Sequence, residues 1–319
     1  MATKHVAILL AVWEPREDWL IELLDSLNRQ TYPSLSLYVR DDASPTYPIE
    51  RLRAVLEEHI TAFPFVLNQN KVNVGSNQTF AELVRDCEGD YIAFCDQDDV
   101  WLEDKIANTV RLLEQSPLSP TMAFANVSVM DGDGHEIAPR MEEHRKRHVF
   151  MRGKGLAPTL IYRNFVMGCT VVMTRERAAS YLPFPSEAVH DHYLAFRAAL
   201  DGAIDYLDEP QMRYRVYGGN QTGVLAGVKN RDDYFARRIK LFDARIKRFC
   251  TYTELEELQR AAMWSDARIA YFNKEKGAAK RLWRLRGVDK KTTLFERVVL
   301  RLPAPLFRLA VRLVQKGLL

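Results

Sequence analysis

Phe94-Cys95-Asp96-Gln97-Asp98-Asp99-Val100-Trp101 completes a short apolar run, Tyr91-Ile92-Ala93-Phe94, that reads as a buried strand. Three carboxylates crowded just past a strand repel one another and cost stability. A divalent cation relieves that repulsion. Mg²⁺ or Mn²⁺ prefers oxygen ligands and is commonly held by one or two carboxylates together with substrate phosphates. The carboxyl end of a strand in an open α/β sheet is also where such folds bind ligands. The turn is therefore a candidate metal–diphosphate site. An acidic turn before a helix, with Asp98 or Asp99 as N-cap, is the alternative.

Strand and helix signals alternate on either side of this turn. Val6–Val12, Leu35–Arg40, Phe63–Leu67, Tyr91–Cys95 and Met122–Met130 read as strands. Between them Asp18–Gln30, Pro48–Ile60, Ser76–Cys87 and Trp101–Glu114 carry apolar residues at helical spacing. The order predicts an α/β, Rossmann-like, mostly parallel sheet with helices on both faces. No Gly-x-Gly-x-x-Gly follows the first strand and no P-loop occurs, which argues against dinucleotide and P-loop nucleotide binding.

The chain has 319 residues, 47% hydrophobic and 27% charged, enough for one large domain and an appendage. Its four cysteines, Cys87, Cys95, Cys169 and Cys250, have no paired spacing, which fits a reducing compartment and not a cysteine zinc site. No run approaches the roughly 20 apolar residues of a membrane span. The start, Met1 to His5, lacks the apolar core of a signal peptide, so the cytoplasm is expected. The net charge of +3 hides a split: residues 229–319 carry 23 Lys/Arg against 10 Asp/Glu, a net of +13, and residues 1–228 carry 22 against 32, a net of −10. Two parts with different partners are expected, a catalytic domain over 1–228 and a basic helical region over 229–319.

Further motifs sit at the same expected sheet edge. Asp41-Asp42-Ala43-Ser44 ends the second strand; a carboxylate there can accept the imide N–H of a pyrimidine, or cap a turn. Asn73-Val74-Gly75-Ser76 is a glycine turn entering a helix. Its backbone N–H groups could approach a phosphate, or simply start the helix.

Together these blocks resemble the family 2 glycosyltransferases of the GT-A fold. The resemblance runs over roughly residues 5–223 and rests on the first strand with Trp13-Glu14, Asp41-Asp42-Ala43-Ser44, Asn73-x-Gly75 and the acidic turn with its tryptophan. Cys95-Asp96-Gln97-Asp98-Asp99-x-Trp101 followed by Lys105-Ile106 is similar to the bacterial rhamnosyltransferase branch, as are Gly168-Cys169-Thr170, His190-Asp191-His192-Tyr193-Leu194 and Tyr214-Arg215-x-x-Gly218. The chain departs from that branch at Ala11, Trp13, Gln78-Thr79, His192-Tyr193 and Tyr217, where a hydroxyl residue, Tyr, Lys-Asn, Trp-Trp and His are usual.

The resemblance implies an inverting, metal-dependent transfer of a sugar, rhamnose from dTDP-rhamnose first, to a saccharide acceptor on a lipid carrier in cell-surface polysaccharide or O-antigen synthesis. It places the nucleotide sugar, a dTDP- or UDP-sugar, in residues 1–130 and the acceptor in 131–228. Trp13, Glu14, Asp42, Asn73, Gly75, Asp96 and Gln97 would face the donor, and Asp96 and Asp98 would hold Mg²⁺ or Mn²⁺. Asp191 would be the general base. Asp99, Trp101, a Gly168-Cys169-Thr170 strand, His190 and Arg215 would wall the sugar and acceptor sites.

Over 292–319, Arg297 and Arg301, and then Arg308, Arg312 and Lys316, recur at four-residue intervals beside Leu, Phe and Val. Such helices read as membrane-interface binders or as a packing surface for the catalytic domain or a second subunit, leaving homo-oligomerisation open. A peripheral place on the inner face of the cell membrane follows from the first reading. A nucleic-acid-binding module would explain the basic tail but not the acidic clusters; no nucleic-acid partner is expected. A nucleotidyltransferase or sugar-nucleotide pyrophosphorylase would need a glycine-rich basic loop where Trp13-Glu14-Pro15 stands.

Overall fold

In this computed structural model, residues 3–146, 148–217, 225 and 227–315 are described. The chain divides into two compact units, Met1–Tyr217 and Gly218–Leu319.

The first unit alternates β1 (Val6–Val12), α1 (Glu17–Asn28), β2 (Leu35–Asp41), α2 (Ile49–His59), β3 (Phe65–Gln69), α3 (Ser76–Asp86), β4 (Tyr91–Cys95), β5 (Val100–Trp101), α4 (Lys105–Gln115) and β6 (Met122–Met130). β7 (Glu136–Ala138), α5 (Met141–His144), α6 (Ala157–Tyr162), β8 (Val172–Thr174), α7 (Arg175–Ser180), α8 (His190–Asp201) and β9 (Ile204–Arg215) follow. The sheet runs β3-β2-β1-β4-β8-β6-β9-β5, with β7 beside β6. β3, β2, β1 and β4 are parallel, as are β6 and β9, while β8 and β5 enter antiparallel.

Period-two alternation explains why both faces are covered. Val6, Ile8 and Leu10 share a buried cluster with Leu20, Leu23 and Leu24 of α1, Leu52 and Val55 of α2, and Ile106 and Val110 of α4. The opposite parity of the neighbouring strand carries Phe94, whose ring lies 5.4 Å from Phe80 of α3. Parallel register then brings the strand ends to one edge: Val12 pairs with Asp41, and Leu10 with Cys95. β1 lies between β2 and β4, so successive connections leave it in opposite directions and open a crevice at that edge.

Three expectations change. The helix expected from Trp101 starts at Lys105, because Val100 and Trp101 pair with Arg213 and Met212 of β9 and the Trp101 N–H donates to Ser26 Oγ at 2.9 Å. The third strand is displaced to Phe65–Gln69; Pro64 has no N–H, and its carbonyl accepts from Leu37. Gly168-Cys169-Thr170 is a tight 3₁₀ turn, closed by Thr170 and Val171 N–H groups on the Met167 and Gly168 carbonyls, and the strand begins after it.

The second unit is helical: α9 (Arg231–Tyr234), a π-helical stretch Phe235–Lys240, α10 (Leu241–Cys250), α11 (Glu256–Phe272), α12 (Ala278–Arg284), α13 (Lys290–Val299) and α14 (Ala304–Gln315). Tyr234, Trp264, Tyr271, Leu282, Val299, Phe307 and Val311 share its core. Inside it Arg268 pairs with Glu296 at 2.5 Å, and Tyr234 donates to the same carboxylate at 2.9 Å. Val299, Leu300, Phe307 and Val311, apolar positions expected on the interfacial face of the tail, are therefore core. Among the described residues no helix is long and apolar enough to cross a membrane.

Candidate active site at the carboxyl edge of the sheet

The fully buried β4 delivers Asp96–Asp99 to the crevice beside β1. Gln97 ties the two loops together: its Oε1 accepts the Trp13 N–H at 2.8 Å and its Nε2 donates to the Trp13 carbonyl at 3.0 Å. The Trp13 ring is half exposed. The next residue, Glu14, has φ +44°, and Ala43 in the neighbouring loop has φ +56°. Non-glycine residues adopt that region at a cost and cluster at functional sites. The two loops hold one another there, since Glu14 N–H donates to Ser44 Oγ at 2.8 Å and the Glu14 carboxylate accepts from Thr46 N–H at 2.7 Å.

The three carboxylates of the turn point different ways. Asp98 faces an open cleft and accepts the Tyr217 hydroxyl at 2.8 Å. Asp99 turns inward, is fully buried, and accepts the Arg215 backbone N–H at 3.0 Å. Ligand atoms of Asp96, Asp99 and Cys169 lie within 4.8 Å of one another. Burial, then the charges of Asp98 and Asp191, pushes Asp96 up to about 7. Burial and the same crowding push Asp99 well above the usual carboxylate range, and burial raises Asp98 against the Tyr217 hydrogen bond. Unrelieved negative charge is the condition a divalent cation answers. The oxygen donors suit Mg²⁺ or Mn²⁺; Cys169, a soft ligand whose thiol burial pushes up, does not.

Lys105 is the cation beneath the turn. It is fully buried, its Nζ rests on the Trp101 ring 2.9 Å from the centroid, and burial lowers it to about 7 against the pull of Cys95, Cys169, Asp99 and Asp96. Trp101 itself is 2% exposed and belongs to the core, so it does not wall an open pocket. Arg215, expected beside the sugar and acceptor sites, is engaged within the protein. Buried to 1%, it donates from Nε to the Asp98 carbonyl at 2.9 Å, from Nη1 to the Gly132 carbonyl at 3.2 Å, and from Nη2 to Glu22. Its task is to hold the acidic turn.

Asp42 is 3% exposed and already serves three donors at 2.8 Å: Asn70 Nδ2 and Val74 N–H on Oδ1, and Gly75 N–H on Oδ2. The glycine-turn N–H groups expected near a phosphate are thus engaged by Asp42. Gly75 reaches that geometry with φ +81° as the N-cap of α3, while Asn73 is exposed.

Asp191 opens α8. Its carboxylate accepts from His192 N–H at 2.6 Å, Gly168 N–H and the Asn164 side chain, and burial lifts it to about 6. The sequence does not single out Asn77, which delivers this segment. Its Oδ1 accepts the His190 N–H at 2.7 Å and its Nδ2 donates to the Pro185 and Ala188 carbonyls at 3.1 and 2.6 Å. The neighbouring Gln78 donates to the Phe184 carbonyl at 3.0 Å, so the departure from the usual Lys-Asn pair is structural. The His190 ring is 6% exposed, packs 4.3 Å from Phe80, and is held neutral by burial, at about 3. The charge of Asp191 is felt at Asp96, so base candidate and acidic turn share one electrostatic region.

The cleft has a volume of about 360 Å³ and is lined by Glu14, Arg16, Trp19, Gln97, Asp98, Gly132, Asp133 and Tyr217. Trp19, read from sequence only as a helix position, lies 4.8 Å from the Tyr217 ring and donates from Nε1 to the Gly132 carbonyl at 3.1 Å.

An acidic turn at the carboxyl edge of such a sheet fits the GT-A class expected from the sequence, and comparison with known proteins agrees. The profile of glycosyl transferase family 2 matches residues 9–173, half of the chain, and the chain belongs to that family. It is similar to the dTDP-rhamnosyl transferase RfbG of Shigella flexneri, at 26% identity over 67% of this chain and 73% of that one. Among solved structures it resembles S. aureus TarS 1–349 in complex with UDP-GlcNAc, with a TM-score of 0.60, 15% identity, and 98% and 92% of the two chains covered. It also resembles the mannosyltransferase PcManGT of Pyrobaculum calidifontis in complex with GDP-Man and Mn²⁺, with a TM-score of 0.56, 15% identity, and 100% and 81% covered. At these identities the two structures show the fold alone.

The backbone of Gly168 touches the candidate base. A Cβ there would lie 3.0 Å from His190 Nε2 and 3.1 Å from Asp191 Cβ. Gly168→Ala should therefore cost about 1–3 kcal/mol of stability through overpacking and depress sugar transfer by displacing Asp191. Gly287→Ala, where a Cβ meets nothing within 4 Å, should change neither. Thermal unfolding and a transfer assay check both; an unchanged Gly168→Ala enzyme would separate this turn from the site.

Proposed function

We propose that the protein is an inverting glycosyltransferase that moves a sugar from a nucleoside diphosphate donor to a saccharide acceptor. The observation that carries this reading is the acidic turn Asp96–Asp99 at the carboxyl edge, with Asp191 close enough to raise the Asp96 pKa. Asp98, in the cleft, and Asp96 would hold Mg²⁺ or Mn²⁺. When bound, the ion would neutralise charge developing on the departing nucleoside diphosphate. Trp13, half exposed beside the crevice, would lie against the base, and Asp42 would shape that pocket through its loop contacts. Gln97 and Glu14 would keep the two loops in register.

Asp191 would take the proton of the acceptor hydroxyl as that oxygen attacks the anomeric carbon from the face opposite the leaving group. The bond to the nucleoside diphosphate breaks as the new glycosidic bond forms, and configuration inverts. dTDP-rhamnose is the first donor to test, on the similarity to RfbG. Donor screening with dTDP-, UDP- and GDP-sugars and Mn²⁺ tests the reaction. A base pushed up to about 6 must be deprotonated to work, so transfer at saturating metal should fall as pH drops through about 6 and level off above it. Asp191→Asn should bind donor normally, lose that limb and transfer on the order of 10²–10⁴ more slowly. Near-normal turnover in Asp191→Asn would remove it from the mechanism.

We further infer peripheral attachment to an anionic membrane bearing a lipid-linked acceptor. Leu294 and Val298 on α13 and Leu306 and Leu309 on α14 are exposed by 43–60%, and Arg308 and Arg312 are exposed on α14. Apolar and basic residues together suit a lipid surface. Because Phe307, Val311 and Glu296 are core, the test is substitution and not truncation. Leu306→Ser/Leu309→Ser should keep its helical circular dichroism and lose binding to phosphatidylserine vesicles. Equal partition of variant and wild type would contradict it.

A further inference from the structure

The cleft beside Asp98 is lined by three carboxylates, Glu14, Asp98 and Asp133, and by one guanidinium, Arg16. Carboxylates alone would repel a diphosphate, and an ion held at Asp98 offsets that at one end only. Arg16 is the cationic side chain of that lining. Its side chain is set in place from two sides. Nε and Nη2 donate to Asp18 at 3.1 and 2.5 Å, and Cζ lies 4.0 Å over the Trp19 ring. Trp19 is in turn anchored to Gly132 and packed on Tyr217, whose hydroxyl donates to Asp98. Asp98, Tyr217, Trp19 and Arg16 thus form one continuous wall. Among the described residues the Arg16 Nη1 group has no hydrogen-bond acceptor, so one edge of a pre-oriented fork remains for a ligand.

We propose that Arg16 is a donor-binding residue that meets the diphosphate oxygens of the nucleotide sugar across the cleft from Asp98. The proposal rests on the donor site argued above. A planar guanidinium with a fixed orientation matches phosphate oxygens, and a hydrogen bond to a charged partner contributes more than a neutral one. The Asp18 pair orients the fork from outside the cleft, since Asp18 does not line it.

The test is calorimetric titration of the full chain with UDP and dTDP in the presence of Mn²⁺, for wild type, Arg16→Gln and Arg16→Lys, with thermal midpoints measured alongside. Arg16→Gln should weaken nucleoside diphosphate binding about tenfold, the fold-change of one charge-assisted hydrogen bond. Its thermal midpoint should stay at the wild-type value, and Arg16→Lys should recover part of the affinity because it restores charge without the fork. In turnover the loss should fall on donor KM and leave acceptor KM unchanged. Wild-type affinity in Arg16→Gln, or a loss matched by a lowered midpoint and shared by Arg16→Lys, would overturn the assignment. Wild-type protein that binds neither nucleotide would overturn the donor site itself, a result distinct from either.

Discussion

Arg215 is the tie on which the site depends. One residue at the end of β9 binds the Asp99 carboxylate through its backbone N–H and the Asp98 carbonyl through Nε. It also binds the β6–β7 turn through Nη1 and Glu22 of α1 through Nη2. A turn with three carboxylates would spread if left to its own electrostatics. Here it is gripped by a buried guanidinium, while the buried Lys105 amine, lowered to about 7, lies near Asp96 and Asp99. Removing one partner of such a buried network typically costs 3–5 kcal/mol, because the remaining groups lose their compensation. These contacts leave Asp98 facing the cleft.

The alternation of strands and helices from β1 to β6 is legible in the sequence because those strands are buried and read as apolar runs, while α1 to α4 show a helical stripe. The acidic turn is legible because burying like charges is costly and needs a reason. What the sequence does not disclose is partnership at long range. Arg215 reads as an extended-strand arginine; its partners at Glu22 and Asp131 are 193 and 84 residues away. Asn77 reads as part of a helix start, yet it positions the segment that carries Asp191 over a separation of more than a hundred residues. β5 escapes because two residues have no period, and the helical turn at Gly168–Thr170 escapes because the strand expected there rested on the family resemblance alone.

Tyr217 shows how a departure from a family pattern can be absorbed. The family often places a histidine there; this chain places a hydroxyl that donates to Asp98 and a ring that packs on Trp19. The contact to the acidic turn is kept with a neutral donor, and burial together with the Asp98 charge keeps that hydroxyl protonated by pushing its pKa upward. In the second unit the buried Arg268–Glu296 pair, with Tyr234 on the same carboxylate, fixes how three helices meet. The basic helices are therefore a folded body of their own with an exposed rim.

The central claim is that Asp98, in its cleft, holds a divalent cation at the donor diphosphate. Anomalous scattering from crystals grown with Mn²⁺ and a nucleoside diphosphate tests it most directly. A manganese peak bonded to the Asp98 carboxylate and to phosphate oxygens is expected, absent in Asp98→Ala crystals that retain the fold. A peak at the exposed Asp131, Asp133 and His135 group instead, or full sugar transfer by Asp98→Ala in the presence of chelator, would contradict it.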